Sequence, residues 1–406
     1  MRLPGLLLTA ALLAGTAVFG IDRFRSSGEE SGGTTPVAAT QQVPALPPAA
    51  SPDPAPPPTT GPEEAPTPPA PDPQPQPPAA ATPAPLPASA KVGNVRHEYQ
   101  RLNNCGPVTV GMALSRWGST LDQYDIAPRL KPTAGDVNVS PDELAGYARS
   151  QGMKVHLGVN GDRALLKRLL AAGFPVIVET WFVTHDSGGM GHYRLLTGYD
   201  DAAQSFGALD SYLGPLKMPY ARFDELWRSF GRTFLVVHPP ARVSEVTELL
   251  GARADAAAAK QDTLRAALAE AERRGDAVGW LNLGHAKLGV GDARGAARAF
   301  DQAFAASPDP SLDPTRPARV VGGLPWRALW YSFGPLEAYT RTGRYADVLR
   351  LTAGVLRDAP AHEEAHYWRG RALSGLGRAA EAQAAYREAL RLRPGYAAAR
   401  EALVRL

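Results

Sequence analysis

One cysteine and its surroundings carry the clearest chemical signal in the sequence. Cys105 is the only cysteine among 406 residues and stands in "QRLNNCGPVTVGMAL", just before Gly106-Pro107 and an apolar run. Proline suits a first helical turn, and the N–H groups at a helix start favour a thiolate. A lone cysteine is also commonly a buried packing residue. Position alone therefore leaves the nucleophilic and the structural interpretation equally open.

A nucleophilic thiol needs a base, and the base needs a group that orients it. His192 stands in "GGMGHYRLLTGYD", after a glycine-rich loop and at the start of a predicted strand, and Asp210 ends the next run, "SFGALD". If these runs pair as antiparallel neighbours, both side chains come out at the same edge of the sheet. Gln100 and the N–H of Cys105 would then be the donors to an oxyanion.

Other assignments of these roles use residues close by. His185 lies in "THDSGG" beside Asp186, which is a ready partner, but a loop holds a reacting group less firmly than a strand end does. A zinc site made of His185, His192 and Asp210 has weak ligand spacing and no second anchor. We therefore prefer His192 as the base, and we expect neither a metal nor a cofactor.

The elements that must position these residues follow one another between Val92 and about Pro240. Ser140, Pro141 and Glu143 form the pattern of a capping box at a helix start. Helices are predicted in PVTVGMALSRWG, SPDELAGYARSQG and DRALLKRLLAAG, and strands in FPVIVETWFV, GHYRLLTGYD, SFGALDSY and RTFLVVHP. Helices followed by strands indicate an α+β domain over residues 92–240.

The first 91 residues differ in composition from the rest. An apolar run from Leu3 to Ile21 lies between arginines, so residues 1–25 are predicted to be a signal peptide or a membrane anchor. Residues 26–91 are rich in Pro and Ala and are predicted to be a disordered linker with local polyproline II, or a ligand for a proline-binding module. The protein is thus expected to be exported, either anchored with extracytoplasmic domains or secreted into the periplasm or medium.

The overall charge excludes one class of partner. The formal net charge is +3, and no block of Lys and Arg is long enough for a nucleic-acid or anionic-lipid patch. A single cysteine also excludes an intramolecular disulfide framework. We expect no nucleic-acid partner, and contact with a membrane only through the N-terminal segment.

Residues 250–406 are predicted to be helical and repetitive. Two copies of one spacing are given by Trp280, Leu283, Gly284, Ala296, Phe300, Ala303 and Pro308, and by Gly370, Ala382, Tyr386, Ala389 and Pro394. The pattern resembles the 34-residue tetratricopeptide repeat. A middle copy is degenerate, residues 308–324 look like an inserted loop, and the helix near 254–274 is a cap or half-repeat. An all-α solenoid with a groove for a protein partner follows.

The residues around Cys105 also resemble a known family. "Q…NNCGP", "GFPVIV", "GHYRLLTGYD" and an Asp after the next strand are similar to the double-glycine-leader (bacteriocin-processing) peptidases and their peptidase-like relatives, which are papain-like. The resemblance implies Cys105 as nucleophile, His192 as base, Asp210 as its orienting group and Gln100 as oxyanion donor. Ser211 stands where family members usually have proline, and the sequence has no Walker A motif.

These observations predict an exported bacterial cysteine peptidase that hydrolyses a peptide or amide bond, with a repeat domain for protein binding. Two alternatives stay open. One is a catalytically inactive papain-like scaffold or binding protein, and the other is a papain-like acyltransferase, which would use the same three groups.

Overall fold

The computed structural model describes residues 85–133, 135–184, 188–314 and 322–406. The predicted signal or anchor segment and residues 26–84 of the predicted linker lie outside the described residues. The end of that linker was predicted wrongly as disordered, because Ser89–Lys91 form a strand paired with the sheet. None of the helices in the described ranges is both long and apolar enough to cross a bilayer. The described residues belong to one compact unit.

An antiparallel sheet of seven strands lies at the centre of the first half of the chain. The strands are β1 Ser89–Lys91, β2 Lys154–Gly158, β3 Val176–Thr184, β4 Gly188–Asp200, β5 Ser205–Asp210, β6 Gly214–Pro219 and β7 Phe234–His238. Their order is β2-β7-β3-β4-β5-β6, and β1 pairs with the last residues of β4. The four predicted strands are β3, β4, β5 and β7.

Six helices flank this sheet. They are α1 Cys105–Ser115, α2 Gln123–Leu130, α3 Pro141–Ser150, α4 Arg163–Ala171, α5 Tyr220–Trp227 and α6 Val243–Leu250. The capping box of α3 forms as predicted, because Ser140 N–H donates to the Glu143 carboxylate at 2.9 Å and Glu143 N–H donates to Ser140 Oγ at 3.3 Å. Helices α2 and α5 have only eight residues each, and the sequence did not predict them.

The two faces of the sheet bury separate apolar cores. Leu195 packs with α1 and α3, whereas Leu196, the next residue of β4, packs with α4 and α5. Successive side chains of a strand point to opposite faces, so a continuous apolar run such as β4 fills both cores. The predicted α+β domain is thereby confirmed.

Eight further helices follow. They are α7 Ala256–Arg274, α8 Ala277–Gly289, α9 Ala293–Ala305, α10 Gly334–Arg341, α11 Tyr345–Asp358, α12 Glu363–Gly375, α13 Ala379–Leu392 and α14 Ala397–Val404. The predicted all-α repeat region is confirmed. Its degenerate copy is α10–α11, and Pro335 lies in the first turn of α10, where a missing N–H costs nothing.

The helical region shares apolar packing with the first half of the chain. Val278 and Leu312 belong to the same buried cluster as Trp181, and Tyr331 packs against it. Trp181 Nε1–H donates to the carbonyl of Leu312 at 2.6 Å. The helical region therefore packs against β3, which is the neighbour of β4, the strand that carries His192.

Candidate active site

Cys105 is the first residue of α1, as the Gly-Pro sequence predicted. All residues of α1 from Gly106 to Leu114 are buried, so the helix is held on every side and its first turn is fixed in place. The Cys105 side chain is half-buried at this end. A rigid helix start thus presents the only thiol of the chain.

His192 and Asp210 meet beside the end of β5, of which Asp210 is the last residue. His192 is the fifth residue of β4, so its predicted place at a strand start is wrong, because the glycine-rich stretch before it belongs to the strand. In the β4–β5 pairing, Arg194 stands directly opposite Asp210, and His192 is two residues earlier on the same face of β4. Asp210 Oδ1 lies 3.1 Å from Nε2 of His192. Both side chains are buried, with His192 4% exposed and Asp210 fully enclosed. Because Nε2 faces Asp210, Nδ1 is the ring nitrogen left for the thiol.

Asp210 is held as an anion by four donors. The N–H groups of Tyr212 and Leu213 donate to Oδ1 at 2.7 and 2.9 Å, and Nε of Arg194 donates to Oδ2 at 2.8 Å, in addition to His192. Burial by itself would raise the pKa of Asp210, but these donors and the charges of His192 and Arg194 hold it far below its ordinary value. Asp210 can therefore stabilise a positive charge on His192.

The thiol and the imidazole shift each other's pKa in opposite directions. Burial raises the pKa of Cys105, but its interaction with His192 and the N–H groups of Tyr193 and Gly106 outweigh burial, and the pKa is lowered. Burial lowers the pKa of His192, but Asp210 and Cys105 outweigh it, and that pKa is raised. The arrangement favours a thiolate beside an imidazolium, which is the reactive form of a nucleophilic cysteine.

Gln100 is anchored next to Asp210. Its N–H donates to the carbonyl of Ser211 at 2.8 Å, and the Ser211 hydroxyl donates to Gln100 Oε1 at 2.7 Å. Within the described ranges its Nε2 has no protein acceptor, so both of its N–H groups are available to an oxygen of a bound substrate. The hydroxyl of Ser211 provides a contact that proline at this position would lack.

Arg194 and Thr180 belong to the site, and sequence reasoning missed both. Arg194 is buried and binds Asp210, and its Nη1 contacts the Thr180 hydroxyl. Phe182 packs beside the His192 ring, with centroids 5.0 Å apart. The available signal was the spacing His192-x-Arg194 on a strand, which places a charged side chain on the face of the histidine.

The metal and histidine alternatives involve other parts of the chain. His185 and Asp186 lie outside the described residues. The alternative base His185 and the zinc site that would use it therefore also lie outside them. Within the ranges that the structure describes, His362, Glu363 and Glu364 are close enough to share a cation, but Arg393 Nη1 already lies 3.0 Å from Glu364 and 3.4 Å from Glu363. This group contains none of the four predicted site residues.

Comparison with known protein families agrees with this geometry. Residues 92–234 match the Peptidase_C39 like family, and residues 363–396 match the tetratricopeptide repeat. Residues 92–234 form a C39-like domain. The predicted resemblance to the double-glycine-leader peptidases, with repeats behind it, is confirmed. The C39-like domain holds all four predicted site residues, and the matched repeat spans α12 and α13. No match was found among curated proteins.

Several solved structures are similar to parts of the chain. A C39-like peptidase from Bacillus anthracis is 18% identical, with 37% of this chain and 96% of that one covered and a TM-score of 0.31. A double glycine motif protease from an AMS/PCAT transporter, in complex with the leader peptide, is 18% identical, with 37% and 94% covered and a TM-score of 0.29. MamA from Desulfovibrio magneticus RS-1 is 20% identical, with 40% and 78% covered and a TM-score of 0.28.

Proposed function

We propose that this protein is a cysteine peptidase that hydrolyses a peptide or amide bond. The observation that carries the proposal is the buried pair of His192 and Asp210, with Nε2 3.1 Å from Oδ1, together with the half-buried thiol of Cys105 at the first residue of α1. A structural cysteine has no need of an imidazole whose far nitrogen is held by a fixed anion. The lowered pKa of the thiol and the raised pKa of the imidazole support the same conclusion.

The reaction proceeds in two halves. His192 accepts the proton of Cys105, the sulfur attacks the carbonyl carbon, and the oxyanion is stabilised by Gln100 Nε2 and the Cys105 N–H. The C–N bond then breaks, and the leaving amine takes the proton from His192. In the second half His192 removes a proton from water, the hydroxide attacks the thioester, and the acid leaves as the sulfur regains its proton. Asp210 stabilises the imidazolium throughout.

The substrate is proposed to be a peptide or protein outside the cytoplasm. The apolar run Leu3–Ile21 between arginines supports export, and the linker would separate an anchored domain from the bilayer. The helical repeats are proposed to bind a protein partner in their groove. Fractionation of cells that express the full chain tests the location, and recovery in the cytosol alone would refute export.

Cleavage of a blocked peptide library by the full chain tests the proposed activity. Cys105→Ala and His192→Ala are expected to lower the cleavage rate by a factor of at least about 10³, because each removes a group that the covalent step requires. Cys105→Ser keeps the size of the side chain and serves as the matched variant. Peptides that bind without being cut by the unaltered protein would instead indicate the inactive scaffold. Products joined to an added amine would indicate the acyltransferase.

A further inference from the structure

A cavity of about 800 Å³ lies between the C39-like domain and helices α7 and α8. Phe230 and Tyr331 form part of its wall, with ring centroids 5.8 Å apart. Both rings pack against β4, the strand that carries His192. A Cβ added to Gly191, the neighbour of His192, would lie 2.9 Å from Tyr331 and 3.1 Å from Phe230. The cavity therefore borders the candidate active site, and the repeat region supplies one of its walls.

One buried acid lines this cavity without a partner. Glu179 of β3 stands opposite Tyr193, the residue after His192, and is 5% exposed. Its carboxylate forms no hydrogen bond or ion pair with any residue of the described ranges. Burial raises the pKa of Glu179 well above its ordinary value, and the charge of Cys105 raises it further. An unpaired buried carboxylate is costly, so a partner from outside the chain would be strongly favoured.

The other charges on the cavity wall are already paired or exposed. Glu270 binds Arg228 and Arg232 at 2.6 and 2.8 Å, and Arg253 binds Asp162 at 2.7 Å. Lys260 and Asp142 are exposed at the rim of the lining. No cation in the described part of the chain therefore pairs with Glu179, and a cation bound in the cavity would lower the pKa of this acid and favour its ionised form.

We propose that this cavity receives a basic side chain of the peptide substrate, an amine or a guanidinium, with Glu179 as its counter-ion. The inference rests on the proposed function for the identity of the substrate, but it concerns binding and not bond cleavage. The apolar wall at Leu281 and Ala286 suits the alkyl stem of a lysine or arginine, and the rings of Phe230 and Tyr331 suit its cationic end. Glu179 is thus a specificity residue, and Tyr331 makes the repeat region part of the substrate pocket.

Calorimetric binding to the full-length Cys105→Ala protein tests this inference without turnover. The probes are blocked alanine hexapeptides that carry one lysine, each paired with a peptide that has norleucine at the same position. At one position lysine is expected to bind about 10- to 100-fold more tightly than norleucine, as for a hydrogen bond to a buried charge. Adding Glu179→Gln should remove that preference, whereas Asp142→Asn, on the exposed rim, should leave it within about twofold.

The outcomes separate this inference from the proposed activity. Equal binding of lysine and norleucine at every position, no binding of either, or an unchanged preference after Glu179→Gln would each overturn the inference. Charge-selective binding to a protein that cuts no peptide would support the inference and refute the peptidase. If Glu179→Gln fails to fold, as judged by thermal unfolding, the comparison of the paired peptides on Cys105→Ala alone decides the question.

Discussion

The reactivity of Cys105 comes from its neighbours. Burial by itself would leave the thiol protonated, and only His192 with two backbone N–H groups reverses that effect. His192 in turn depends on Asp210, which Arg194 and two further N–H groups keep ionised. The fixed Asp210 anion thus stabilises a protonated His192, and the protonated His192 stabilises a thiolate at Cys105.

The pH dependence of Cys105 alkylation tests these stabilising interactions. The pKa of Cys105 is lowered, so thiolate persists below the usual range and iodoacetamide should modify the native protein readily at pH 6. His192→Ala removes the main lowering influence and leaves burial, so the rate at pH 6 should fall by about tenfold or more. Mass spectrometry across pH 4–9 follows the single adduct, with glutathione as the reference thiol. Equal alkylation rates at pH 6 in the unaltered and the His192→Ala proteins would contradict the stabilisation of the thiolate by His192.

The helix pairs of the repeat region depend on contacts between a glycine and an aromatic ring. In the first copy a Cβ on Gly284 would lie 2.5 Å from Cδ1 of Phe300, and in the last copy a Cβ on Gly370 would lie 2.5 Å from Cε1 of Tyr386. The same spacing thus produces the same close approach twice. These contacts explain why the pattern is legible in the sequence: each position tolerates few other residues.

Gly370→Ala should weaken the last helix pair. The added methyl group meets the Tyr386 ring in a filled core, and overpacking of this kind costs about 1–3 kcal/mol of unfolding free energy. Gly354→Ala in α11 is the matched control, because a Cβ there meets nothing within 4 Å and alanine favours a helix by about 0.5–1 kcal/mol. Denaturant titration measures both, and a Gly370→Ala protein as stable as the control would show that the ring moves aside freely.

On the scale of the whole molecule, one arginine links the C39-like domain to the helical region. Arg228 is 2% exposed and binds Glu270 of α7 at 2.6 Å and Asp276, at the start of α8, at 2.8 Å. The side chain of Asn282 in α8 donates to the carbonyl of Arg228 at 2.9 Å. With the shared apolar cluster around Trp181, these contacts make the two regions mutually dependent.

Arg228→Met should destabilise both regions together. Glu270 and Asp276 lose a buried partner but keep Arg232 and Arg274, so the loss of unfolding free energy should stay below the roughly 3–5 kcal/mol of a buried pair broken outright. Tryptophan fluorescence and far-ultraviolet circular dichroism should still give coincident unfolding curves, shifted equally, because the regions share a core. Arg350→Ala, which removes an exposed pair with Asp347, should change the stability by less than about 0.5 kcal/mol. Two separate transitions in the unaltered protein would contradict this view.

Local patterns made much of the architecture predictable. Short stretches of sequence carry the signals for the capping box at Ser140, the apolar run after Cys105, the strands around His192 and the repeat spacing. Helices α2 and α5 were missed because eight residues carry too little periodicity, and the first of them contains Pro128. The N-terminal segment is predicted from composition alone and stays a prediction.

The sequence by itself determined which residue types could do chemistry here, since a lone cysteine at a helix start, a histidine in a strand pattern and an acid at a strand end follow one another along it. Only the tertiary structure decided how they meet: the β4–β5 register sets Arg194 against Asp210, and the turn after β5 brings Ser211 to Gln100. It alone placed Glu179 in a cavity walled by Tyr331. These contacts join residues far apart in the chain, and their energies depend on burial and distance, which no local pattern encodes.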